Sequence, residues 1–380
     1  MIIELRGVEF HNKGAELMLH AILERIREEL PDSEFVMEQG GSVPFEKLRA
    51  NHIYAKLKKK RYGIRYERIG ALLPKSLLRG KGYILPKEID VVLDGSGFAF
   101  GDQWGAHKAG YRLADHVADW KRSGKKVIML PQALGPFSDE DLIAKMKHII
   151  SYADLIFARD EVSFNYIKAL SPQSSNIVLR PDFTNLIKGS LPSYFDNTKY
   201  EVAIIPNNKM IEATSDKEGE AYSGLLKNMV NIIQSMGYKP FFLIHEGKKD
   251  IKLADATNAA IEVPIQVLVE DNPLHVKGII GASKAVITSR FHGLVSCLSQ
   301  SVPCLATGWS HKYEMLLKDY HYPEALINVN SSEEELKLSL RNILDETSSG
   351  VIKSNLAKEA TRQKQLSKDM WQMVFDKIKS

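Results

Sequence analysis

Short apolar runs alternate along the chain with longer stretches in which apolar residues recur every three or four positions. A run such as Leu155–Ala158 fits a strand buried on both faces. Leu17, Leu19, Ala21, Ile22, Leu23 and Ile26 instead put one apolar face on a helix over Ala15–Leu30. In the first half the alternation predicts strands at Ile2–Val8, Glu34–Met37, Asp90–Leu93, Lys126–Leu130, Leu155–Ala158 and Ile177–Leu179. Further helices are predicted at Leu113–Ser123, Asp139–Ala153 and Glu161–Leu170. Gly189–Tyr200 is irregular, with Pro192, Asp196 and Asn197 near its middle, and reads as a linker. The alternation then restarts with strands at Glu201–Ile205, Pro240–Ile244, Ile265–Val267, Ala285–Thr288 and Pro303–Ala306. Helices at Tyr222–Met236, Leu253–Ala260, Leu274–Ala282 and Gly293–Gln300 separate them, and a last helix over about Asn355–Lys377 has no strand after it.

Strand and helix in this order predict parallel sheets with helical crossovers. The expected fold class is α/β, with two doubly wound domains over residues 1–189 and 200–354 and a segment 355–380 packing back on the first. A length of 380 residues suits two such domains better than one core. Two sheets facing each other would leave a cleft outside the carboxyl ends of their strands, where ligands bind in such folds. The loops after strands are therefore where chemistry is expected.

Composition narrows the picture further. No apolar run approaches the roughly 18 residues of a membrane-crossing helix, and no signal-peptide pattern opens the chain. Cys297 and Cys304 are too few for a disulfide framework, and there is neither a CxxC pair nor an HExxH motif. The expectation is a cytoplasmic protein without a metal site. The net charge of +4 conceals an asymmetry: between Lys47 and Lys87 thirteen Lys or Arg face one acid, Glu67, a local net of +12. Apolar residues from Leu57 to Leu78 are interleaved with them. Read alone, segment 47–87 is first a solvated excursion and second a surface for an anionic membrane or a polyanion. Nucleic acid is not expected, since no recognised binding motif accompanies the charge.

Chemistry-bearing residues concentrate after strands. In Thr288-Ser289-Arg290-Phe291-His292-Gly293 a strand ends and a helix begins, so free backbone N–H groups and the helix dipole favour an anion. Arg290 adds a planar fork for carboxylate or phosphate, and His292 can exchange a proton near neutral pH. The alternative is that Arg290 pairs with an acid and His292 caps its helix. Ser310 and Lys312 follow the next strand and bring a hydroxyl and a second positive charge to the same rim. His245 and Glu246 end Pro240–Ile244, able to handle a sugar hydroxyl or to close a turn. In the first half Asn12 and Gly14, the turn Gly95-Ser96-Gly97, and Gln132 with Gly135 and Pro136 occupy equivalent positions. Arg159 and Asp160 read first as loop buttresses, with Arg159 also able to reach an anion.

In this order the motifs resemble the polysaccharide pyruvyl transferase family. They are Asn12-Lys13-Gly14, Leu93-Asp94-Gly95-Ser96-Gly97, Pro131-Gln132-Ala133-Leu134-Gly135-Pro136, Ala158-Arg159-Asp160-Glu161-Val162-Ser163, Pro181-Asp182, Ser289-Arg290-Phe291-His292-Gly293 and Lys312, spanning about residues 1–320. The chain departs from the family at Ala15 and Glu16, where many relatives have an aspartate after the glycine, and residues 40–88 match nothing in it. The resemblance implies a GT-B-type fold of two Rossmann-like domains. It also implies transfer of pyruvate from phosphoenolpyruvate, as co-substrate and without a cofactor or metal, onto two hydroxyls of a sugar in bacterial-type surface polysaccharide synthesis. The implied donor-binding residues are Arg290, Lys312, Ser310, Arg159 and Ser289, and the acceptor-binding ones Asn12, Asp94, Ser96, Gln132 and His245. Arg290 and His292 are the implied catalytic pair, with His292 either the acid or a ligand of the leaving phosphate. A lipid-pyrophosphate-linked acceptor, or the inner membrane face, would give segment 47–87 a purpose. The rival readings are a GT-B glycosyltransferase using a nucleotide-sugar and a non-catalytic saccharide- or lipid-binding protein. Against the first, no acidic residue on the second domain's rim is recognised as placed to grip a ribose.

Overall fold

The structure, a computed structural model, describes residues 1–57, 60–61, 64–65, 70–212, 214–308 and 310–380. The chain divides into one unit of Met1–Phe183 with Ser367–Ser380 and a second of Thr184–Leu366.

Among the described residues, nine strands form the sheet of the first unit. Eight of them run from edge to edge as Ile177–Leu179, Leu155–Ala158, Lys126–Leu134, Val91–Asp94, Ile2–Arg6, Glu34–Met37, Ile53–Lys56 and Tyr83–Ile84, all parallel. Such strands are covered on both faces, which is why Val91–Asp94 and Leu155–Ala158 are buried at every position. The chain works outward from Ile2–Arg6 in one direction, then returns to Val91–Asp94 on its other side, so the direction of winding reverses between these two strands. At that reversal Gly7 has φ +80°, and a Cβ there would lie 2.3 Å from Ser96 Oγ. Only glycine allows the two loops to close this tightly.

The second sheet has five parallel strands in the order Gln266–Val269, Pro240–Ile244, Val202–Ile205, Ala285–Thr288 and Cys304–Ala306. Its reversal falls between Val202–Ile205 and Ala285–Thr288. Phe241, Val286, Leu294 and Leu298 pack on one face, and Ile204, Tyr222, Met229 and Leu340 on the other. Both units thus have the Rossmann-like, doubly wound architecture expected.

Several elements differ from expectation, each for a local reason. Lys126–Leu134 runs on through Pro131 because the short strand Phe98–Phe100 pairs with its far end. Leu113–Ser123 is not one helix but the end of a segment that starts at Gly105 and changes pitch over Gly110–Ala114. The basic segment is more structured than a solvated excursion. Ile53–Lys56 and Tyr83–Ile84 extend the sheet, and the backbone of Lys60–Arg61 and Ile64–Arg65 forms an antiparallel pair. Residues 58, 59, 62, 63 and 66–69, also in the basic segment, lie outside the described residues. Among the described residues, three of its cations pair with acids: Lys56 is buried with Nζ 2.5 Å from Glu4 Oε1, Arg79 binds Glu34 at 3.0 Å and Glu88 at 3.2 Å, and Lys75 reaches Glu88 at 3.4 Å. Burial pushes the Glu4 carboxyl up, but Lys56 and Arg6 outweigh it and hold the group below the usual carboxylate range.

Gly189–Tyr200, expected as the linker, belongs to the second unit, because Ser190 N–H donates to Leu274 O at 3.0 Å and Gly189 packs on the Gly278 backbone. The last helix is longer than predicted, running unbroken from Glu346 to Lys379. Leu356 and Ala360 join the second core, whereas Trp371, in the first unit, meets Phe183 at 6.0 Å and Phe375 at 5.6 Å between ring centroids. His311–Asp319 and Glu333–Leu344 are further helices absent from the pattern reading. No helix among the described residues is long and apolar enough to cross a membrane.

Candidate functional site

In the second unit the loop at the reversal of winding is built around Ser289. Its N–H donates to Ile205 O at 3.0 Å, tying the loop to the neighbouring strand. Its carbonyl accepts from Asn207 Nδ2 and from Tyr313 Oη, each at 2.9 Å. Its hydroxyl accepts from Tyr222 Oη at 2.8 Å and shares a proton with Thr307 Oγ1 at 2.6 Å. Burial pushes the Tyr222 phenol up to about 12, which keeps it a neutral donor. Ser289 is therefore a tie for the loop, with its hydroxyl engaged by the protein. Gly293 lets the following helix, Phe291–Ser299, pass close over Thr288: a Cβ there would lie 2.5 Å from Thr288 Oγ1.

This frame aims Arg290, the residue that opens the helix. Its two terminal nitrogens grip Glu246 Oε2 and Asp250 Oδ2. Nε is buried with no hydrogen-bond partner among the described residues. Burial lowers the guanidinium to about 10, still charged at neutral pH. Burial likewise pushes Asp250 up, to about 7, with Glu212 adding to the rise and the Asn208 N–H at 2.9 Å opposing it. Pairing with an acid, the alternative weighed above, is thus what the arginine does, and with two acids. Yet the site is no packed core, since 14% of the Arg290 side chain is exposed and His292 is half-buried.

The helix His311–Asp319 joins this site through Tyr313, whose ring lies 5.8 Å from that of Phe291. Lys312 Nζ sits 5.5 Å from the Phe291 ring centroid and 5.6 Å from that of Tyr313. Ser310 heads the same helix, its hydroxyl buried without a hydrogen-bond partner among the described residues. His292 adjoins Phe291, ring to ring at 5.5 Å. Arg290, His292, Ser310 and Lys312 thus share one rim at the carboxyl ends of the second sheet. His245, buried, directly precedes Glu246 on that rim; the structure puts it in the second unit, apart in the chain from the other residues assigned to the acceptor.

The first unit gathers a second polar group at its own reversal. Asp94 and Gln132 are both fully buried. Asp94 Oδ1 accepts from Ser96 N–H at 3.2 Å and Gln132 Nε2 at 3.1 Å, and Oδ2 from Ser96 Oγ at 3.0 Å. Gln132 Oε1 is buried with no hydrogen-bond partner among the described residues. Asn12 caps the helix Lys13–Glu29, its side chain accepting from Ala15 N–H at 3.0 Å, and Glu16 binds Lys13 at 2.7 Å. Arg159 lies in this unit too, buried, with Nη1 3.1 Å from Asp182 Oδ2. That is the environment of a buttress at the carboxyl end of Leu155–Ala158, more deeply buried than Arg290. Among the described residues no cluster of three or more His, Cys, Asp or Glu side chains could hold a metal ion.

The sequence reading missed Asn207, Asn208, Tyr222, Asp250 and Tyr313. The two asparagines follow the strand Val202–Ile205 and so obey the rule that located the other rim residues. Asp250 lies one helical turn beyond Glu246. The two tyrosines carry no local signal, since helical spacing marks them only as core. Asp250 and Glu270 join Glu246, which the sequence already placed on this rim, as acids of the second unit. Glu270 is already engaged, with Oε1 accepting from Asn272 N–H at 2.7 Å and Oε2 from Tyr194.

The family model for polysaccharide pyruvyl transferase matches residues 12–311. Among solved structures, HepE of Anabaena in complex with UDP-glucose is similar, with a TM-score of 0.61, 13% identity, and 99% of this chain and 100% of that one covered. The UDP-GlcNAc 2-epimerase of Neisseria meningitidis bound to UDP-GlcNAc gives a TM-score of 0.59, 10% identity and 99% coverage of both chains. That of Methanocaldococcus jannaschii gives 0.54, 13%, and 91% and 93%. At such identities the likeness is one of fold, and the fold is GT-B-like.

Proposed function

Since the chain belongs to the polysaccharide pyruvyl transferase family, we propose that it moves pyruvate from phosphoenolpyruvate onto two hydroxyls of a sugar, closing a cyclic ketal during synthesis of a bacterial-type surface polysaccharide. The observation that carries this reading is the convergence of Arg290, His292, Ser310 and Lys312 on one rim, at the start of two helices. The donor is an anion twice over, with a carboxylate and a phosphate, and fixed cations with helix N-termini are what such a ligand requires. Ser310 Oγ and Arg290 Nε supply buried hydrogen-bonding groups not engaged by any of the described residues.

The chemistry balances with side chains alone. A proton goes to the methylene carbon, leaving positive charge at C2, and the first sugar hydroxyl adds there and loses its proton. The bond from C2 to the phosphate oxygen then breaks. The second hydroxyl takes the vacated position, its proton leaving as the phosphate departs. His292 delivers the first proton, and Arg290 and Lys312 hold the phosphate as its charge grows. The acceptor is assigned to the first unit's group of Asp94, Ser96 and Gln132, with Asn12 on the adjoining loop. Arg159 holds Asp182 and supports that loop cluster.

A nucleotide-sugar glycosyltransferase remains the second reading, favoured by the UDP-sugars in structures of the same fold. Melting curves separate the two. Phosphoenolpyruvate at about 100 times its Kd is expected to stabilise the protein by about 2.7 kcal/mol, and UDP-glucose not at all. The opposite pattern would replace this proposal with the glycosyl one. Phosphate release from phosphoenolpyruvate over a panel of saccharides then identifies the acceptor, and binding without release would indicate a protein that has lost catalysis.

The basic segment is assigned to the anionic carrier of the acceptor, at a lipid surface. Leu72, Leu73 and Leu77 are exposed there, Leu72 by 85%, beside exposed Lys75, Lys81 and Lys87. Apolar side chains amid cations suit an interface rather than bulk water. Sedimentation with vesicles containing anionic lipid is expected to fall steeply as salt rises from about 0.05 to 0.5 M, where the screening length drops below about 5 Å. Binding that ignores salt, or no binding, would remove the membrane from the scheme.

A further inference from the structure

Arg290 is not waiting empty-handed for an anion. Its fork is closed on Glu246 and Asp250, so with all three groups ionised the cluster carries one net negative charge. A doubly negative donor would meet repulsion there, and the two nitrogens best placed to bind it are engaged. Either the fork is never used, or a carboxylate must give it up.

The surroundings single out Asp250 as the group that yields. It is more deeply buried than Glu246, with 3% of its side chain exposed against 20%. Its other oxygen is anchored by Asn208 N–H at 2.9 Å, so the carboxyl cannot simply swing into water. The groups facing it are Arg290, Glu246 from its own helix, Glu212 from the helix Lys209–Glu212, and Tyr222 Oη. Glu212 is itself bound by Lys209 at 2.9 Å and by Lys249, which leaves Arg290 as the cation directly on Asp250.

We propose that Asp250 is a positioning residue for donor binding: it holds the Arg290 fork while the site is empty and takes up one proton when an anion draws that fork away. On the proposed reading of the site, the anion is phosphoenolpyruvate. Losing the guanidinium removes the cation that contacts Asp250, and burial and Glu212, which favour the neutral acid, are then opposed by the Asn208 N–H alone among these neighbours. The neutral carboxyl can then donate a hydrogen bond where it previously repelled. The cluster passes from one net negative charge to none. Burial already brings Asp250 to about 7, so at neutral pH this proton is available at little cost.

By linkage, donor affinity must rise as pH falls. The donor phosphate has its second ionisation near about 6, so between about pH 7 and 8.5 the ligand contributes almost no uptake of its own. Isothermal titration with phosphoenolpyruvate, and separately with sulfate, a dianion that does not titrate in this range, is run in two buffers of different ionisation heat. It is expected to show uptake rising from about half a proton per ligand near pH 7 towards one near pH 8.5, with the donor KM climbing towards tenfold per pH unit at the upper end and kcat changing far less. Asp250→Asn keeps the hydrogen-bonding shape but has no proton to take, so the uptake and the KM slope should vanish. In His292→Gln the uptake on binding should persist. Binding and turnover without uptake in the wild type would overturn the inference alone, and so would Asp250→Asn with an unaltered slope. Should the variant not fold, the wild-type proton count decides. If phosphoenolpyruvate neither binds nor turns over, the donor assignment fails instead, and the sulfate titration still tests Asp250.

Discussion

Arg290→Ala is expected to lower kcat/KM for pyruvyl transfer by about 10³-fold or more, equivalent to about 4 kcal/mol, read as phosphate release from phosphoenolpyruvate. The size follows from position. The side chain stands at the reversal of winding of the second sheet, at the head of a helix, where on the proposed function fixed donors would hold developing phosphate charge with little water to compete. A single neutral donor in such a place is worth roughly 10²–10³ in rate, and the guanidinium is charged and bidentate. Arg290→Lys keeps the charge but not the fork, and an intermediate loss of about 10–100-fold is expected. The fold must be checked with the pH dependence in mind, because the alanine variant leaves Glu246 and Asp250 without their cation. A carboxyl raised in the folded state gives its full stability below its unfolded value of about 3.9 and loses it as pH rises through the folded one. Melting temperature in the variant should therefore fall from about pH 4 to beyond 7, where wild-type Asp250 titrates. Turnover is best compared near pH 6. Near-normal turnover there would take Arg290 out of the site.

The parts of the fold that were legible share one property. Glu34–Met37, Leu155–Ala158, Pro240–Ile244 and Ala285–Thr288 coincide with their apolar runs because a strand covered on both faces leaves little room for polar residues. Ile53–Lys56 was hidden because Lys56 is tolerated in the interior through Glu4, on a strand two places away in the sheet, and through Glu38. The rim was legible by the rule that loops after parallel strands carry chemistry, and Arg290, His292 and Lys312 stood out as charged or titratable groups in such loops. Their working arrangement was not. Asp250 meets Arg290 across 40 residues, and Tyr222 meets Ser289 across 67, with no periodic signal between them. Ser289 shows the same gap from the other side. A serine beside Arg290 reads as a ligand donor, but five partners, Ile205, Asn207, Tyr222, Thr307 and Tyr313, make it the knot that orients its neighbour.

That division of labour sharpens the test of His292. His292→Gln is expected to reduce kcat by about 10²–10⁴-fold, the usual worth of a positioned general acid, while raising the donor KM only a few-fold. Glutamine keeps a neutral donor at the first turn of Phe291–Ser299, so a residue that merely bound the leaving phosphate would show the reverse split, with KM raised and kcat largely kept. An isotopic readout separates the roles independently of rate. In deuterated water, a reversible first protonation puts deuterium into the methylene group of unconsumed phosphoenolpyruvate, and His292→Gln should abolish that exchange. Exchange persisting at the wild-type rate while phosphate release collapses would move His292 from the first step to the departure of phosphate. Another group would then have to deliver the proton to carbon. Asp250 would be the first to examine, since in its neutral form it holds a proton beside the Arg290 fork.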